Sequence, residues 1–240
     1  MRRIRITVSY DGSTFHGWQV QPGLPTIQGT LEAILSEIEG TPVHVAGSGR
    51  TDAGVHALAQ VAAFTLQNPI PVVNLRRAVN RLLPPTIRVL CAEEVAPDFH
   101  PRFDAKAKTY EYRIHRGEIC DPFERLYVHH HPYPLDEARM VELAGTFAGE
   151  HDFSAYAAAD ERDAEGRSKV RTIFSSVLER RGDRMTYRVR GSGFLKHMVR
   201  NLVGTLIEAG RGNIEDVSVL PAKCGPTAPP RGLFLASVEY

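Results

Sequence analysis

Hydrophobic and polar residues alternate from Arg3 to Tyr10, which predicts a strand with one buried face. Farther along, apolar residues recur every three or four positions over Ile27–Ile38, which is the spacing of an amphipathic helix. Thr26 is a favourable N-cap for this helix, and Gly40 is a favourable stop at its end. The chain is therefore predicted to begin with a strand and a helix.

The same two periods predict further strands and helices along the whole chain. The predicted strands lie near Val43–Val45 and over His56–Leu66, Ile87–Val95, Thr109–His115, Val170–Glu179, Met185–Arg190 and Leu233–Tyr240. The predicted helices lie over Val72–Leu82, Met140–Phe147 and Met198–Ile207, the last of them strongly amphipathic. Because adjacent strands occur without strict βαβ alternation, and Arg181–Asp183 is typical of a hairpin turn, the predicted class is α+β.

The Pro- and Asp-containing loop Ala96–Asp104 is the predicted domain boundary. It gives an N-terminal lobe over residues 1–104 and a C-terminal lobe over residues 105–240. The sequence VAGSG at Val45–Gly49 is echoed by VRGSG at Val189–Gly193, each time after a short strand. Together with a similar element order in both halves, this echo suggests two related lobes that face each other across a cleft.

The composition is that of an ordinary globular protein, with 240 residues, 42% of them hydrophobic and 24% charged. Three cysteines without CxxC spacing argue against a disulfide framework and a zinc ribbon, and they favour a reducing compartment. The N-terminus does not run into an apolar stretch, so no signal peptide is predicted. No window approaches the roughly 18–20 apolar residues of a membrane span. We therefore expect a cytoplasmic protein without a membrane partner.

Charge is distributed unevenly along the chain. The formal net charge is +1, but Gly166–Arg200 contains ten basic and two acidic residues, so this segment carries +8 and the remainder −7. Such a local excess favours a polyanionic partner, although solvated protein faces would give the same pattern.

The glycine-rich sequence Gly47–His56 is the densest cluster of candidate chemistry. Arg50 lies two residues before Asp52 on this predicted loop. A desolvated aspartate that stays ionised beside an arginine can serve as a nucleophile, whereas an Asx-turn with a surface ion pair would use the same residues. The loop matches neither the phosphate-binding pattern GxxxxGK[ST] nor the dinucleotide-binding pattern GxGxxG.

The string GRTDAGVH at Gly49–His56 closely resembles the catalytic loop of the tRNA pseudouridine synthase A family. Seven further blocks resemble the family in the same order and cover nearly the whole chain: YDG (10–12), FHGWQ (15–19), TIQGTLE (26–32), FHPRF (99–103), KTYEY (108–112), FLKHMVRN (194–201) and APPRGLFL (228–235). The resemblance implies two RRM-like, ferredoxin-like lobes with mixed, mainly antiparallel sheets that meet at a central catalytic cleft.

The resemblance also implies an activity. Members of this family isomerise uridine to pseudouridine at positions 38, 39 and 40 in the anticodon stem-loop of tRNA. The uracil is detached from its ribose, rotated, and rejoined through ring carbon 5, so neither a metal nor a nucleotide cofactor is expected. The resemblance further implies a homodimer in which the tRNA touches both subunits.

Catalytic roles follow from the resemblance residue by residue. Asp52 matches the family nucleophile, which attacks either the ribose or the uracil ring. Arg50 matches the residue that occupies the space of the flipped nucleotide and positions the aspartate. Tyr110 matches the tyrosine that stacks on the uracil and assists proton removal, whereas the residues alone would favour a strand residue that packs beside Tyr112 and Ile114.

Three residues near the end of the chain are assigned with alternatives. Arg200 and His197 lie on the polar margin of the last predicted helix. Arg200 is expected to pair with Asp52 or to contact a phosphate, unless it is an ordinary surface charge. Leu233 is expected to line the pocket or to pack in the core.

Aromatic and basic residues are expected to hold the RNA, because they stack on bases and contact phosphates. The candidates besides Tyr110 and Leu233 are Phe99, His100, Arg102, Phe103, Arg167, Lys169 and Arg171.

Two other classes of function are compatible with parts of the sequence. A non-catalytic RNA-binding module would explain the basic segment, but a carboxylate at Asp52 would repel its ligand. A metal-dependent hydrolase would be centred on His129–His131. Consecutive residues of a strand point to opposite faces, so three adjacent histidines rarely bind one ion.

Neutralising Arg167 and Arg171 together should weaken tRNA binding and make the affinity less dependent on salt concentration. Binding releases about one counterion for each phosphate contact, so fewer counterions are released when contacts are lost. The measurement is the slope of log Kd against log salt concentration for the wild type and the double variant. An unaltered slope would place the phosphate contacts elsewhere.

Overall fold

The computed structural model describes residues 1–159, 166 and 168–240. The chain forms two compact units, the first comprising Met1–Lys106 with Phe234–Tyr240 and the second Ala107–Leu233. The elements in chain order are β1 (Arg2–Tyr10), α1 (Ile27–Glu39), β2 (Ala46–Gly47), β3 (His56–Leu66), α2 (Val72–Leu82), β4 (Ile87–Val95), β5 (Ala107–His115), β6 (His129–His130), α3 (Glu137–Thr146), β7 (Gly149–Asp152), β8 (Val170–Arg181), β9 (Arg184–Gly191), α4 (Met198–Gly210) and β10 (Leu233–Glu239). This mixture of helices and a mixed sheet confirms the α+β class.

In the first unit, β1 is the central strand and pairs antiparallel with both β3 and β4. Its alternating pattern holds, because Ile4, Ile6, Val8 and Tyr10 are buried. Strand β2 pairs antiparallel with one end of β3, and β10 pairs parallel with the other end. Helix α1 begins where predicted, since the Thr26 side chain accepts a hydrogen bond from the Gly29 amide.

In the second unit, β5, β9, β8 and β7 form an antiparallel sheet, and β6 pairs parallel with β5. The predicted hairpin is present between β8 and β9. Gly182 has a φ of 60° at the first position of the two-residue turn, as a type II′ turn requires. Helix α3 packs against β8 and α4. Strand β7 is absent from the predicted elements, because its sequence GEHD has no apolar alternation.

Helix α4 has the predicted position but not the predicted amphipathic surface. Eleven of its 13 residues are buried, so the helix has almost no polar face. Gly204 lies against the carbonyl oxygen of Pro226, where a β-carbon would overlap that oxygen. The apolar stripe indicates one buried face correctly, but it does not reveal the segment that covers the opposite face.

The last strand lies in the first unit except for its first residue, Leu233, whereas the sequence predicts lobes over residues 1–104 and 105–240. Phe234 and Leu235 pair with His56 and Ala57 of β3, so long-range backbone pairing places the strand there. Within the described residues, the structure contains no helix long and apolar enough to cross a membrane.

Gly204→Ala should lower the free energy of unfolding by about 3 kcal/mol, because the new methyl group has no space beside Pro226. Gly145→Ala is the matched control, since beyond the chain neighbours and the backbone of its own helix no atom lies within 4 Å of the position that a methyl group would take at this second helical glycine. The control should raise stability by about 0.5–1 kcal/mol. Equal effects in denaturant titrations of the two variants would contradict the close approach.

Candidate active site

The two units carry different parts of the predicted site. The first unit contains Arg50, Asp52, Phe99, His100, Arg102 and Phe103, and the second contains Tyr110, Lys169, Arg171, Arg200 and Leu233.

Asp52 is the first residue of a tight turn. The Val55 amide donates to the Asp52 carbonyl at 3.1 Å. Gly54 has a φ of 76° at the third position, which is the requirement of a type II turn. The aspartate side chain is half-buried at this turn. The Asp52 carboxylate is therefore attached to a backbone whose conformation is fixed by the turn.

The residues just before Asp52 are fixed to the segment Tyr10–Trp18. The Trp18 amide donates to the Thr51 carbonyl at 3.0 Å. The hydroxyl groups of Tyr10 and Thr51 share a hydrogen bond of 2.7 Å in a buried position. Gly17 has a φ of 87°, and a β-carbon there would lie 2.6 Å from the Thr51 carbonyl oxygen. Only glycine permits this close backbone contact.

The residues just after Asp52 are fixed to the same segment. The Gly54 amide donates to the Phe15 carbonyl at 3.3 Å. The Gly12 amide donates to Nδ1 of His56 at 3.1 Å. Both sides of Asp52 are therefore tied to Tyr10–Trp18. The motif blocks YDG and FHGWQ contain these partners, but their sequence alone does not indicate this role.

The glycine-rich start of the loop is fixed by β3. The Ser48 hydroxyl donates to the Gln60 side chain at 2.6 Å, and the Gln60 amide group donates to the Gly49 carbonyl at 3.0 Å. Gly47 lies against the ring of Trp18, leaving no room for a β-carbon. Arg50 follows with an exposed side chain. The start of the loop is thus fixed by hydrogen bonds to Gln60 and by contact with Trp18, while the Arg50 side chain remains accessible to a ligand.

Tyr110 lies on β5 opposite Val189 and is only 8% exposed. The ring of Phe194 meets it edge to face at 5.1 Å between centroids. The next tyrosine on this strand, Tyr112, donates its hydroxyl to the Pro229 carbonyl at 2.8 Å. Burial raises the pKa of Tyr112, so its hydroxyl stays protonated. The Tyr110 ring is thus buried and in contact with Phe194.

Arg200 is half-buried in the first turn of α4. Its Nε donates to the Ala228 carbonyl at 2.7 Å, and the Ala228 amide donates to the Arg200 carbonyl at 3.1 Å. Leu233 is 5% exposed. His197 is the N-cap of the helix and not part of its polar margin, with a φ of 62°. This placement corrects the predicted position of His197.

The loop with Phe99 is anchored at its base. Arg3 donates from Nε to the Phe99 carbonyl at 3.1 Å, and the Phe99 ring lies 5.1 Å from that of Tyr240. The Tyr240 hydroxyl donates to the Pro101 carbonyl at 2.7 Å. The Arg5 guanidinium lies 5.5 Å from the Phe99 ring. Phe99 is therefore engaged with the protein itself.

The tip of the same loop is accessible. Phe103 is 75% exposed, and its ring lies 4.2 Å from that of His100. Nδ1 of His100 accepts hydrogen bonds from the amides of Arg102 and Phe103 at 3.1 and 3.3 Å. The Arg102 guanidinium lies 5.9 Å from the Phe103 ring. The exposed side chains of Arg102 and Phe103, together with the half-buried His100, form an aromatic and cationic surface.

Two of the predicted basic contacts in the second unit, Lys169 and Arg171, lie in the described part of the chain. Arg171 is half-buried and donates to the carbonyls of Ser168 and Val170 at 2.9 and 2.6 Å. Burial lowers its pKa from the ordinary value. Lys169 is also half-buried. The prediction for Arg167 lies outside the described residues.

The histidine run has contacts of its own. Nδ1 of His131 lies 3.0 Å from the Arg116 guanidinium. Burial, together with nearby His131 and Arg231, lowers the pKa of His129 to about 4. Among the residues that the structure describes, no three His, Cys, Asp or Glu side chains are grouped to hold a metal ion.

A family model and the similar proteins found by comparison all point to one family. The family described as tRNA pseudouridine synthase matches residues 6–104 and 143–240. A protein of Solibacter usitatus named tRNA pseudouridine synthase A is 75% identical over 240 residues, with full coverage of both chains. Proteins of the same name from Limosilactobacillus fermentum and Geobacter sulfurreducens are 45% and 43% identical, and they cover the whole of this chain. The first matches 96% of its own length and the second all of it.

Tyr10→Phe should lower the free energy of unfolding by about 1 kcal/mol and speed hydrogen exchange at the Trp18 and Gly54 amides, because Thr51 loses its buried partner. Tyr187→Phe is the matched control, since this buried tyrosine also shares a 2.8 Å bond with a hydroxyl, that of Ser176. The control should cost similar stability and leave those two amides protected. Equal protection in both variants would show that the Tyr10 hydroxyl does not hold the loop.

Proposed function

The chain belongs to the tRNA pseudouridine synthase family, and we propose that it isomerises uridine to pseudouridine at positions 38, 39 and 40 of the tRNA anticodon arm, with Asp52 as the nucleophile. The observation that carries this proposal is the GRTDAG sequence of Gly49–Gly54 on a turn that is tied down on both sides of Asp52. A nucleophile must be held in place because a displacement of about 1 Å can cost about a hundredfold in rate.

The proposed reaction rearranges one bond and leaves the composition of the tRNA unchanged. The bond between uracil N1 and ribose C1′ breaks, the uracil turns over, and its C5 atom bonds to C1′. C5 loses a proton and N1 gains one, so the product is an isomer. Asp52 forms its covalent link with either C1′ or the uracil ring and is released as a carboxylate. Because this balance needs no oxidant, nucleotide or metal, we propose that the protein uses no cofactor.

Arg50, Tyr110 and Arg200 complete the proposed catalytic set. The exposed side chain of Arg50 supports its assignment to the space that a flipped nucleotide leaves. Tyr110 is assigned to stacking on the uracil and to removal of the C5 proton, and the edge-to-face contact of its ring with Phe194 supports this. Arg200 is assigned to Asp52 or to a phosphate, and Leu233 to the wall of the pocket.

The surface formed by His100, Arg102 and Phe103 is the best supported of the proposed RNA contacts. An exposed ring can stack on an unpaired base, and the guanidinium beside it can contact a phosphate. Phe99 supports this loop from within, since its ring contacts Tyr240. Lys169 and Arg171 are proposed as phosphate contacts in the second unit.

Each unit is proposed to be a ferredoxin-like lobe. In the first unit, the order β4-β1-β3, with β2 also on β3 and two helices between the strands, supports this assignment. In the second unit, the support is the antiparallel order β5-β9-β8-β7. We also propose a cytoplasmic homodimer that binds tRNA, on the basis of the family resemblance.

Asp52→Asn should still bind tRNA but should release tritium from uridine labelled at C5 at least about a thousandfold more slowly, because an amide cannot form the covalent link. Glu37→Gln is the control, as it removes an exposed carboxylate from α1 of the same unit. This control should release tritium at the wild-type rate. Normal release by Asp52→Asn would refute the nucleophile assignment.

A further inference from the structure

His56 is a buried imidazole at the end of the Asp52 loop. It is 1% exposed and is the first residue of β3, four positions after Asp52. Its ring stacks on Phe234 of β10, with 4.7 Å between centroids and 22° between planes. Its Nδ1 receives the Gly12 amide at 3.1 Å. The imidazole therefore connects the loop to the segment after β1 through one nitrogen atom.

A second group competes for the same nitrogen. Oδ1 of Asp11 lies 3.2 Å from Nδ1 of His56 and also accepts the Ser13 amide at 2.9 Å. Nδ1 cannot accept a hydrogen bond from Gly12 and donate one to Asp11 at the same time, because an imidazole nitrogen is either an acceptor or a donor. The Gly12 bond requires an unprotonated Nδ1.

The backbone around this contact leaves little freedom. Gly12 lies so close to the Val55 carbonyl that a β-carbon would overlap it. The Gly12 amide can therefore reach His56 only when the turn that ends at Val55 is packed against Gly12. The other hydrogen bond on this side joins the Gly54 amide to the Phe15 carbonyl. It is 3.3 Å long and is therefore weaker than an ordinary hydrogen bond between an amide and a carbonyl. Of the two hydrogen bonds that fix the residues after Asp52, the one between Gly12 and His56 is thus the shorter.

We propose that His56 is a positioning residue for Asp52, with an unprotonated Nδ1 that accepts the Gly12 amide and a ring fixed by stacking on Phe234. The proposal rests on the proposed function, because it assigns His56 to the placement of the nucleophile. His56 acts through the backbone of the loop and is not assigned any contact with the RNA.

Three substitutions separate the acceptor from the ring. His56→Asn keeps an acceptor at the same number of bonds from Cβ but loses the ring. His56→Phe keeps a ring for Phe234 and loses the acceptor, and His56→Leu loses both. Single-turnover tritium release from saturating tRNA should fall about 10- to 100-fold in His56→Phe and His56→Leu and much less in His56→Asn. The tRNA Kd should be unchanged in all three.

Ile4→Val is the control for stability, since Ile4 is fully buried on β1 and Val retains most of its side chain. This variant should lower Tm without changing the single-turnover rate. Equal rates in His56→Asn and His56→Phe, or rates that follow Tm through all variants including Ile4→Val, would overturn the proposal. An inactive wild-type protein would instead refute the proposed function.

The protonation state of His56 can be measured directly in the wild-type protein. Long-range ¹H–¹⁵N spectra of histidine-labelled wild-type protein distinguish a protonated from an unprotonated Nδ1, and the His56→Asn spectrum assigns the signal. We expect Nδ1 of His56 to be unprotonated at neutral pH. A protonated Nδ1, which would donate to Asp11, would overturn the proposal.

Discussion

The attachment of the Asp52 turn to the segment Tyr10–Trp18 is the constraint on which the candidate site depends. Antiparallel pairing of β1 with β3 places Tyr10 opposite Ala57, so the residues that follow β1 meet the residues that precede β3. The hydrogen bonds on both sides of Asp52 then follow from this register. A change that slips the strands would therefore displace the carboxylate even where no loop residue is altered.

Local periodicity is sufficient to predict most of the strands and helices, but it does not predict the site. The strand at Arg2–Tyr10 and the helix at Ile27–Glu39 follow from spacing and capping residues alone. The role of Asp52 comes from the resemblance of its loop to a known family, because glycines beside an aspartate would equally fit a simple turn. The pairing of Tyr10 with Thr51 joins residues 41 positions apart, and no local pattern reveals it.

Long-range pairing also explains the larger differences between sequence and structure. The last strand has the apolar residues of any strand, and its parallel pairing with β3, which no local pattern reveals, places most of it in the first unit. Helix α4 shows an apolar stripe in the sequence, yet Pro226 and its neighbours cover the side that a stripe would leave to solvent. Spacing tells which residues prefer burial, but it does not tell how many sides a helix will bury.

Trp18 is the only tryptophan of the chain and is 2% exposed. Its backbone bonds to Thr51, and its ring lies against Gly47 at the other end of the glycine-rich loop. The tryptophan fluorescence of the protein therefore originates from a side chain that contacts the loop carrying the candidate nucleophile. Emission intensity and wavelength should report movement of this loop as substrate arrives, without any attached dye.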